Sequence, residues 1–416
     1  MPIRGHINLP GDKSISHRAL LIASILDGEN YIYNLSTAID VNNTMQCLNQ
    51  IGIKSSRQKN NVVIKGNTFI SSQKTLDCGN SGTTMRLLSG LLGGLNISSK
   101  LIGDKSLLKR PMDRIVNPLK NMGIKISCNN NTAPITIKES EKLNGLNYNM
   151  NISSAQIKSA LLLAGVSSNN KITINEQYPS RNHTEIMLKN IGYNINVTNN
   201  TITLHTIKHN LKNLDIHIPG DISSAAFFIG AACMIPNSDL KINNVLINDT
   251  RMGFIEILKK MGAGIIIHNQ KNVNGESVGD IQVYYKPLYG IDIDDKNISS
   301  MIDELPILAV VATQAEGITT VSGAKELRYK ESDRIKTTVE NLKNMGAKII
   351  EKNDGLIIEG PNILNKANIK CYNDHRIAMS FIIAGISSGN YNNIDNIDCI
   401  NTSYPEFIDT LKKIIR

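Results

Sequence analysis

The sequence predicts an α/β protein of two domains, each built from three copies of a βαβαββ unit. Three observations carry this. A chain of 416 residues is too long for one ordinary core. One phrase recurs five times, as CLNQIGIKSS, LKNMGIKISC, LKNIGYNINV, LKKMGAGIII and LKNMGAKIIE, its glycines Gly52, Gly123, Gly192, Gly262 and Gly346 standing roughly 70 to 85 residues apart. A second, strongly apolar segment also recurs, always opening on small polar residues.

Each phrase reads the same way. A helix ends, glycine occupies the position just past it where positive φ is favoured, and an alternating strand follows. An Asn-rich or Asn-Asp turn then leads to a second strand, as in APITI, TITLH and GLIIEG. The apolar segments begin GDKSISHRALL, GNSGTTMRLLSG, ISSAQIKSALLL, GDISSAAFFIG, SSMIDELPILAV and YNDHRIAMSFII. With so little polar face they predict buried helices. The closing FIDTLKKIIR reads as a sixth copy cut off after its helix. Six units divide as three and three, and Pro219–Gly220 in DIHIPGDISS is the best candidate for the join. The expected domains are 13–219, and 220–416 together with 1–12.

Composition narrows the function. Hydrophobic residues make up 41% and charged residues 19%, a globular balance, and no apolar run approaches the roughly 18 residues of a membrane helix. Met1 leads straight into PIRGHINLPGDKS without a signal-peptide core, so a cytoplasmic location is expected. The formal charge of +9 suggests anionic partners. The basic residues are scattered, however, and aromatics are only 4% with no Trp, which disfavours nucleic acid and favours a small anionic substrate. Cys47, Cys78, Cys128, Cys233, Cys371 and Cys399 are isolated, without zinc-ligand spacing, and read as reduced, buried small hydrophobes.

Several helix starts carry cations at the end where the helix dipole disfavours them. In GDKSISHR, Asp12 or Ser14 suffices as a cap, yet Lys13 and Arg18 crowd the same turn. An anion at the helix N-terminus would reconcile them. The Gly79/Gly82 pair in CGNSGTTMR offers close backbone approach to an anion, though it is not a P-loop. In YKESDRIK, Lys330 and Arg334 stand four apart and would share a helix face. NDHRIA repeats the pattern with Asp374, His375 and Arg376, SSMIDELP places Asp303 and Glu304 at a helix start, and LLKRPMDR alone reads as a solvent-facing basic loop. Each also has an ordinary reading as a cap, a charged face or a small-residue helix entry.

Taken together and in this order, PGDKSISHRALL, GNSGTTMRL, KRPM, SSAQIKSALLLAG, SRNHTE, RYKESDR, NDHRIA and TSYPEF resemble the signatures of the 3-phosphoshikimate 1-carboxyvinyltransferase (EPSP synthase) family over essentially the full length. The related UDP-N-acetylglucosamine enolpyruvyl transferases share the sixfold repeat, but lack the KSxSHR start and use a loop cysteine near the region that here reads SLLKRPMD, where no Cys stands. A non-catalytic anion binder, or a nucleic-acid enzyme such as the RNA 3′-terminal phosphate cyclases with their related repeats, is the rival from another class. Asp303 and Glu331 argue against a pure anion binder, which gains nothing from carboxylates in its site.

The resemblance implies an inside-out α/β barrel in each domain, a double-crossover hinge, an N-terminal strand that completes the C-terminal domain, and domain closure on substrate. It implies joining phosphoenolpyruvate (PEP) to the 5-hydroxyl of shikimate 3-phosphate with release of phosphate, by a monomer, with no metal or organic cofactor, no nucleic acid and no membrane partner. It assigns Lys13, Ser14, Arg18, Ser154, Gln156, Ser180, Asp303 and Lys330 to shikimate 3-phosphate. Lys13, Gly82, Arg110, Gln156, Arg334 and Arg376 fall to PEP. Asp303 would be the base for the hydroxyl, with Glu331 and Lys13 handling the methylene proton and the phosphate. The chain departs from some members at Ala155, where a second Ser can precede the Gln, at Glu326, where Asn can stand, and at Thr402, where a PEP-binding Lys can stand.

Overall fold

The computed structural model describes residues 1–70, 75–209 and 211–415. It is a mixed α/β structure that divides into two compact units. The amino-terminal unit comprises Gly11–Ile218 with Val273–Glu276, and the carboxy-terminal unit comprises Met1–Pro10, Pro219–Asn272 and Ser277–Arg416.

Among the described residues the strands form five four-stranded sheets and one two-stranded sheet. The four-stranded sheets share one plan, a parallel pair extended by an antiparallel hairpin. In the second repeat, Thr75–Asp77 pairs parallel with Ser99–Ile102, which pairs antiparallel with Thr132–Lys138, which pairs in turn with Lys125–Asn129. The sixth repeat keeps only the parallel pair, Asn368–Ile369 with Asn393–Ile394. Its last helix is Phe407–Ile414, and Arg416 lies outside the described residues.

The first and fourth repeats have exchanged their opening strands. Arg4–Asn8 pairs parallel with Asp239–Leu246 in the carboxy-terminal unit, and Asp215–His217 pairs parallel with Glu29–Tyr33 in the amino-terminal unit. The chain therefore passes from one unit to the other at Pro10/Gly11 and at Ile218/Pro219.

All five repeat glycines adopt positive φ, from 89° at Gly123 to 109° at Gly192. This is the left-handed geometry that ends a helix and turns it into a strand. The apolar segments are helices Lys13–Ser24, Gly82–Gly94, Ala155–Ser168, Ile222–Met234, Leu305–Ala312 and His375–Ser387, buried along nearly their whole length. Among the described residues no helix is long and apolar enough to cross a membrane.

One helix crossing sets up the site. A Cβ on Gly90 would stand 2.0 Å from the carbonyl oxygen of Ala160, and one on Gly94 would stand 2.4 Å from that of Ala164. Both contacts are impossible, so only glycine, one turn apart, lets the Gly82–Gly94 and Ala155–Ser168 helices approach backbone to backbone. Their N-termini, bearing Gly82 and Gln156, are thereby brought side by side.

Candidate active site

In the amino-terminal unit the start of the Lys13–Ser24 helix is capped by Asp12, whose Oδ1 accepts from Ile15 N at 2.9 Å. That leaves Ser14 and the cations for other work. Lys13 Nζ lies 3.0 Å from Asp40 Oδ2. Arg18 is buried and knits three helices, its Nη1 donating to Ser14 O at 2.8 Å, its Nε to Thr184 Oγ1 at 2.9 Å and its Nη2 to Ser159 Oγ at 2.7 Å. Arg181 Nη1 donates to Ser14 Oγ at 3.1 Å.

A second cluster gathers where the two close-packed helices begin. Ser81 caps the Gly82–Gly94 helix, accepting from Thr84 N. Gln156 donates from Nε2 to Thr83 Oγ1 at 2.9 Å and accepts at Oε1 from Arg86 Nη1 at 2.8 Å. Arg110 Nη2 donates to Asn80 Oδ1 at 2.6 Å, and its Nη1 to Asn80 O at 3.2 Å. A Cβ on Gly82 would stand 2.6 Å from Arg86 Nη1 and 3.3 Å from Arg110 Nη1, so the glycine faces both guanidinium groups. Arg110 is buried, which corrects the reading of LLKRPMDR as a solvent-facing loop. A short 3₁₀ turn, Leu107–Lys109, folds the segment inward, and Asn80 holds the guanidinium there.

Behind this cluster runs a chain of neutral hydrogen bonds. His17 Nδ1 is 2.7 Å from Thr44 Oγ1, Thr44 Oγ1 is 2.7 Å from Thr84 Oγ1, and Thr84 Oγ1 donates to Ser81 Oγ at 2.7 Å. Burial is the main cause that holds His17 well below the ordinary imidazole pKa; nearby Lys13 and Arg18 lower it further, and Asp12 partly opposes them.

Ser154 sits at the N-cap position of the Ala155–Ser168 helix without a side-chain capping bond. Ser180 donates its hydroxyl to Glu176 Oε1.

The carboxy-terminal unit holds the sequence-predicted carboxylates. Asp303 lies in the 3₁₀ turn Ile302–Glu304, and its Oδ1 accepts from Lys330 Nζ at 3.3 Å and from Arg334 Nη1 at 3.2 Å. Arg334 also meets Glu331 Oε2 at 2.7 Å and Asp374 Oδ2 at 2.8 Å. Burial alone would push its proton off, but Asp374, Glu331 and Asp303 more than offset that and raise its pKa. One buried cation thus organises three carboxylates.

Lys330 and Arg334 do not share a helix face. Asp333 caps the helix Arg334–Asn344, accepting from Lys336 N, so the helix starts at Arg334 and Lys330 lies in the preceding loop. The two cations meet instead on Asp303.

Asp374 caps the His375–Ser387 helix by accepting from Arg376 N at 2.9 Å. Arg376 Nη1 donates to Ser223 O at 3.0 Å, and its guanidinium lies 5.7 Å from the Phe227 ring centroid.

The structure therefore gathers Gly82, Arg110 and Gln156 in one cluster of the amino-terminal unit, and Asp303, Lys330, Glu331 and Arg334 in one cluster of the carboxy-terminal unit. Two residues escaped the sequence reading. Arg86 lies one helical turn after Gly82, and that four-residue spacing was the available signal. Arg181 stands in SRNHTE, where only Ser180 was singled out.

The family described as EPSP synthase (3-phosphoshikimate 1-carboxyvinyltransferase) matches residues 1–411. The 3-phosphoshikimate 1-carboxyvinyltransferase of Thermoanaerobacter sp. strain X514 is 45% identical over 411 residues, covering 98% of this chain and 97% of the relative. That of Thermodesulfovibrio yellowstonii is 46% identical over 419 residues, covering 99% and 97%. Among solved structures, EPSP synthase from Acinetobacter baumannii superposes with a TM-score of 0.87 at 37% identity, covering 99% of this chain and 96% of that one. The enolpyruvyl transferase NikO from Streptomyces tendae superposes with a TM-score of 0.80 at 14% identity, covering 99% and 95%, a likeness of fold.

Proposed function

The chain belongs to the EPSP synthase (3-phosphoshikimate 1-carboxyvinyltransferase) family, and from that premise we propose how its residues divide the reaction. The enzyme transfers the enolpyruvyl group of PEP to the 5-hydroxyl of shikimate 3-phosphate and releases phosphate, a step of aromatic amino acid biosynthesis. The observation that carries the assignment is the half-buried Asp303 carboxylate, fixed by Lys330 and by the buried Arg334, which also holds Glu331.

In this reading Asp303 takes the proton of the 5-hydroxyl as that oxygen attacks C2 of PEP. The methylene carbon gains a proton and a tetrahedral intermediate forms. Loss of a proton from the resulting methyl group then drives out phosphate and restores the double bond. Glu331 and Lys13 serve the carbon proton and the departing phosphate. Arg110, Arg334 and Arg376 hold PEP, because a guanidinium fork pairs with carboxylate or phosphate through two parallel bonds. Gly82 and Gln156 close on the same anion, and Arg86 joins them by its bond to Gln156 Oε1. Lys13, Ser14, Arg18, Ser154, Gln156, Ser180 and Lys330 hold shikimate 3-phosphate, with Asp303 at its 5-hydroxyl.

The same reading takes the enzyme as a monomer, each chain carrying every residue assigned to the reaction. It also places the enzyme in the cytoplasm, where a reducing milieu keeps thiols such as its six free cysteines unpaired. The test is phosphate release with PEP and shikimate 3-phosphate together, against each alone. Turnover only with both is the expected result. Release with UDP-N-acetylglucosamine in place of shikimate 3-phosphate, and not with the latter, would overturn the reading.

A further inference from the structure

A buried charge cluster of the amino-terminal unit centres on a lysine outside the residues assigned above. Lys158, on the first turn of the Ala155–Ser168 helix, is 1% exposed. Its ammonium has three protons and three acceptors: Glu185 Oε1 at 2.7 Å, Glu176 Oε2 at 2.9 Å and the carbonyl oxygen of Ser180 at 3.2 Å. Both glutamates are buried as well. Glu176 ends the strand Ile172–Glu176, and Ser180 closes the following loop back onto it, its hydroxyl donating to Oε1 and its backbone N–H lying 3.4 Å from Oε2. Ser180 is thus tied to Glu176 at one carboxylate and to Lys158 through its own carbonyl.

We propose that Lys158 is a positioning residue for the shikimate 3-phosphate subsite, acting through Ser180; the proposal rests on the assignment of Ser180 as a ligand of that substrate. A lysine buried between two carboxylates is costly to retain for packing alone, since an apolar side chain of similar volume serves the core as well or better. What an apolar residue cannot do is hold Glu176 and the Ser180 carbonyl at once. Removing the ammonium leaves two buried carboxylates that repel each other, and Glu176 takes Ser180 with it because both bonds of the closed loop end on that glutamate. Next door, Ser159 and Thr184 share a 2.8 Å hydrogen bond and both accept from Arg18, so the same two helices are joined by a charged link and a neutral link side by side. The neutral link holds the helices together without Lys158. The charged link alone reaches the Ser180 loop.

The test is steady-state kinetics of the full chain carrying Lys158→Met, Ser180→Ala and both. Lys158→Met is expected to raise KM for shikimate 3-phosphate about tenfold, the scale of one lost hydrogen bond to a charged group, with kcat and KM for PEP within about twofold of native. In the Ser180→Ala background the same substitution is expected to add less than about twofold, because two residues acting on one contact are not additive. An equal rise in both backgrounds would overturn the proposal, as would a similar loss in kcat and in both KM values, the mark of a general structural role. An unchanged KM in Ser180→Ala alone would overturn the ligand assignment, and the proposal with it. Should Lys158→Met not fold, Glu176→Gln is the substitute. It cannot accept from both Lys158 and Ser180 as the carboxylate does, and the same split and the same non-additivity with Ser180→Ala are expected.

Discussion

Asp303 Oδ1 stands 3.2 Å from Nη1 of Arg334, a guanidinium that also holds Glu331 and Asp374. The proposed base is therefore fixed by a side chain that two other carboxylates hold in place, which keeps the geometry of the base between turnovers. Replacing the base while leaving its holder intact should remove proton transfer and spare substrate binding. Asp303→Ala is expected to lower kcat by about 10²- to 10⁴-fold and to change KM for shikimate 3-phosphate by less than about threefold. Steady-state kinetics with both substrates varied checks this, and a native kcat in the variant would remove Asp303 from the mechanism.

Lys13 offers a sharper separation of charge from structure. Its Nζ lies 3.0 Å from Asp40 Oδ2, and both side chains are largely buried. Lys13→Met is expected to lose more than tenfold in kcat/KM, that is more than about 1.4 kcal/mol of transition-state stabilisation. Part of such a loss could come from stranding the Asp40 carboxylate. The double variant Lys13→Met/Asp40→Asn removes that cause. Activity should stay low in it, because the missing group is the cation proposed to face both anionic substrates. Recovery to near the native rate would make Lys13 a partner of Asp40 and nothing more.

The repeat plan was legible because it rests on local rules. A glycine past a helix end and an apolar segment without a polar face leave marks within ten residues, and the six buried helices and five turn glycines stand where those marks put them. The exchange of Arg4–Asn8 and Asp215–His217 leaves no such mark. A parallel partner 235 residues away for Arg4–Asn8, or 184 away for Asp215–His217, imposes no pattern on so short a strand, and only the family resemblance supplied the first half of the exchange. The candidate site divides in the same way. Cations at helix starts flagged Lys13, Arg18 and Arg376, whereas the inward turn of Arg110 depends on Asn80, thirty residues earlier. Lys330 was placed on a helix because spacing ignores caps, and Asp333 starts the helix later.

His17 makes the fold sensitive to pH in a defined direction. Burial, with Lys13 and Arg18 adding to it, keeps the folded imidazole neutral well below the usual value of 6.5. The unfolded chain takes up a proton there as pH falls through about 6.5, and the folded chain does not. The unfolded state then binds more protons, so stability falls as pH falls, by up to about 1.4 kcal/mol per pH unit until the folded imidazole titrates. Denaturant unfolding of native protein and His17→Asn at pH 7.5 and 5.5 measures this. The stability advantage of the native chain should shrink at the lower pH. An advantage that is the same at both would mean that His17 has no depressed pKa in the fold.

Gly82 tests the placement of PEP at the mouth of its helix. A methyl group there would stand 2.6 Å from Arg86 Nη1, closer than any real Cβ contact, and 3.3 Å from Arg110 Nη1. The first is the far end of a flexible side chain, so Gly82→Ala should fold, with the Arg86 guanidinium displaced and its bond to Gln156 Oε1 strained. KM for PEP is therefore expected to rise. Glyphosate competes for the PEP site in the family this chain resembles and is slightly longer than PEP, so the methyl group should oppose it more. Overpacking by one methyl in a tight site costs on the order of 1–3 kcal/mol, so the inhibition constant should rise roughly 5- to 150-fold and by a larger factor than KM. An inhibition series against PEP, at fixed shikimate 3-phosphate, gives both constants for native and variant protein. Equal factors would mean that residue 82 does not distinguish the two ligands. No change in either constant would take Gly82 out of the PEP site, and Arg86 with it.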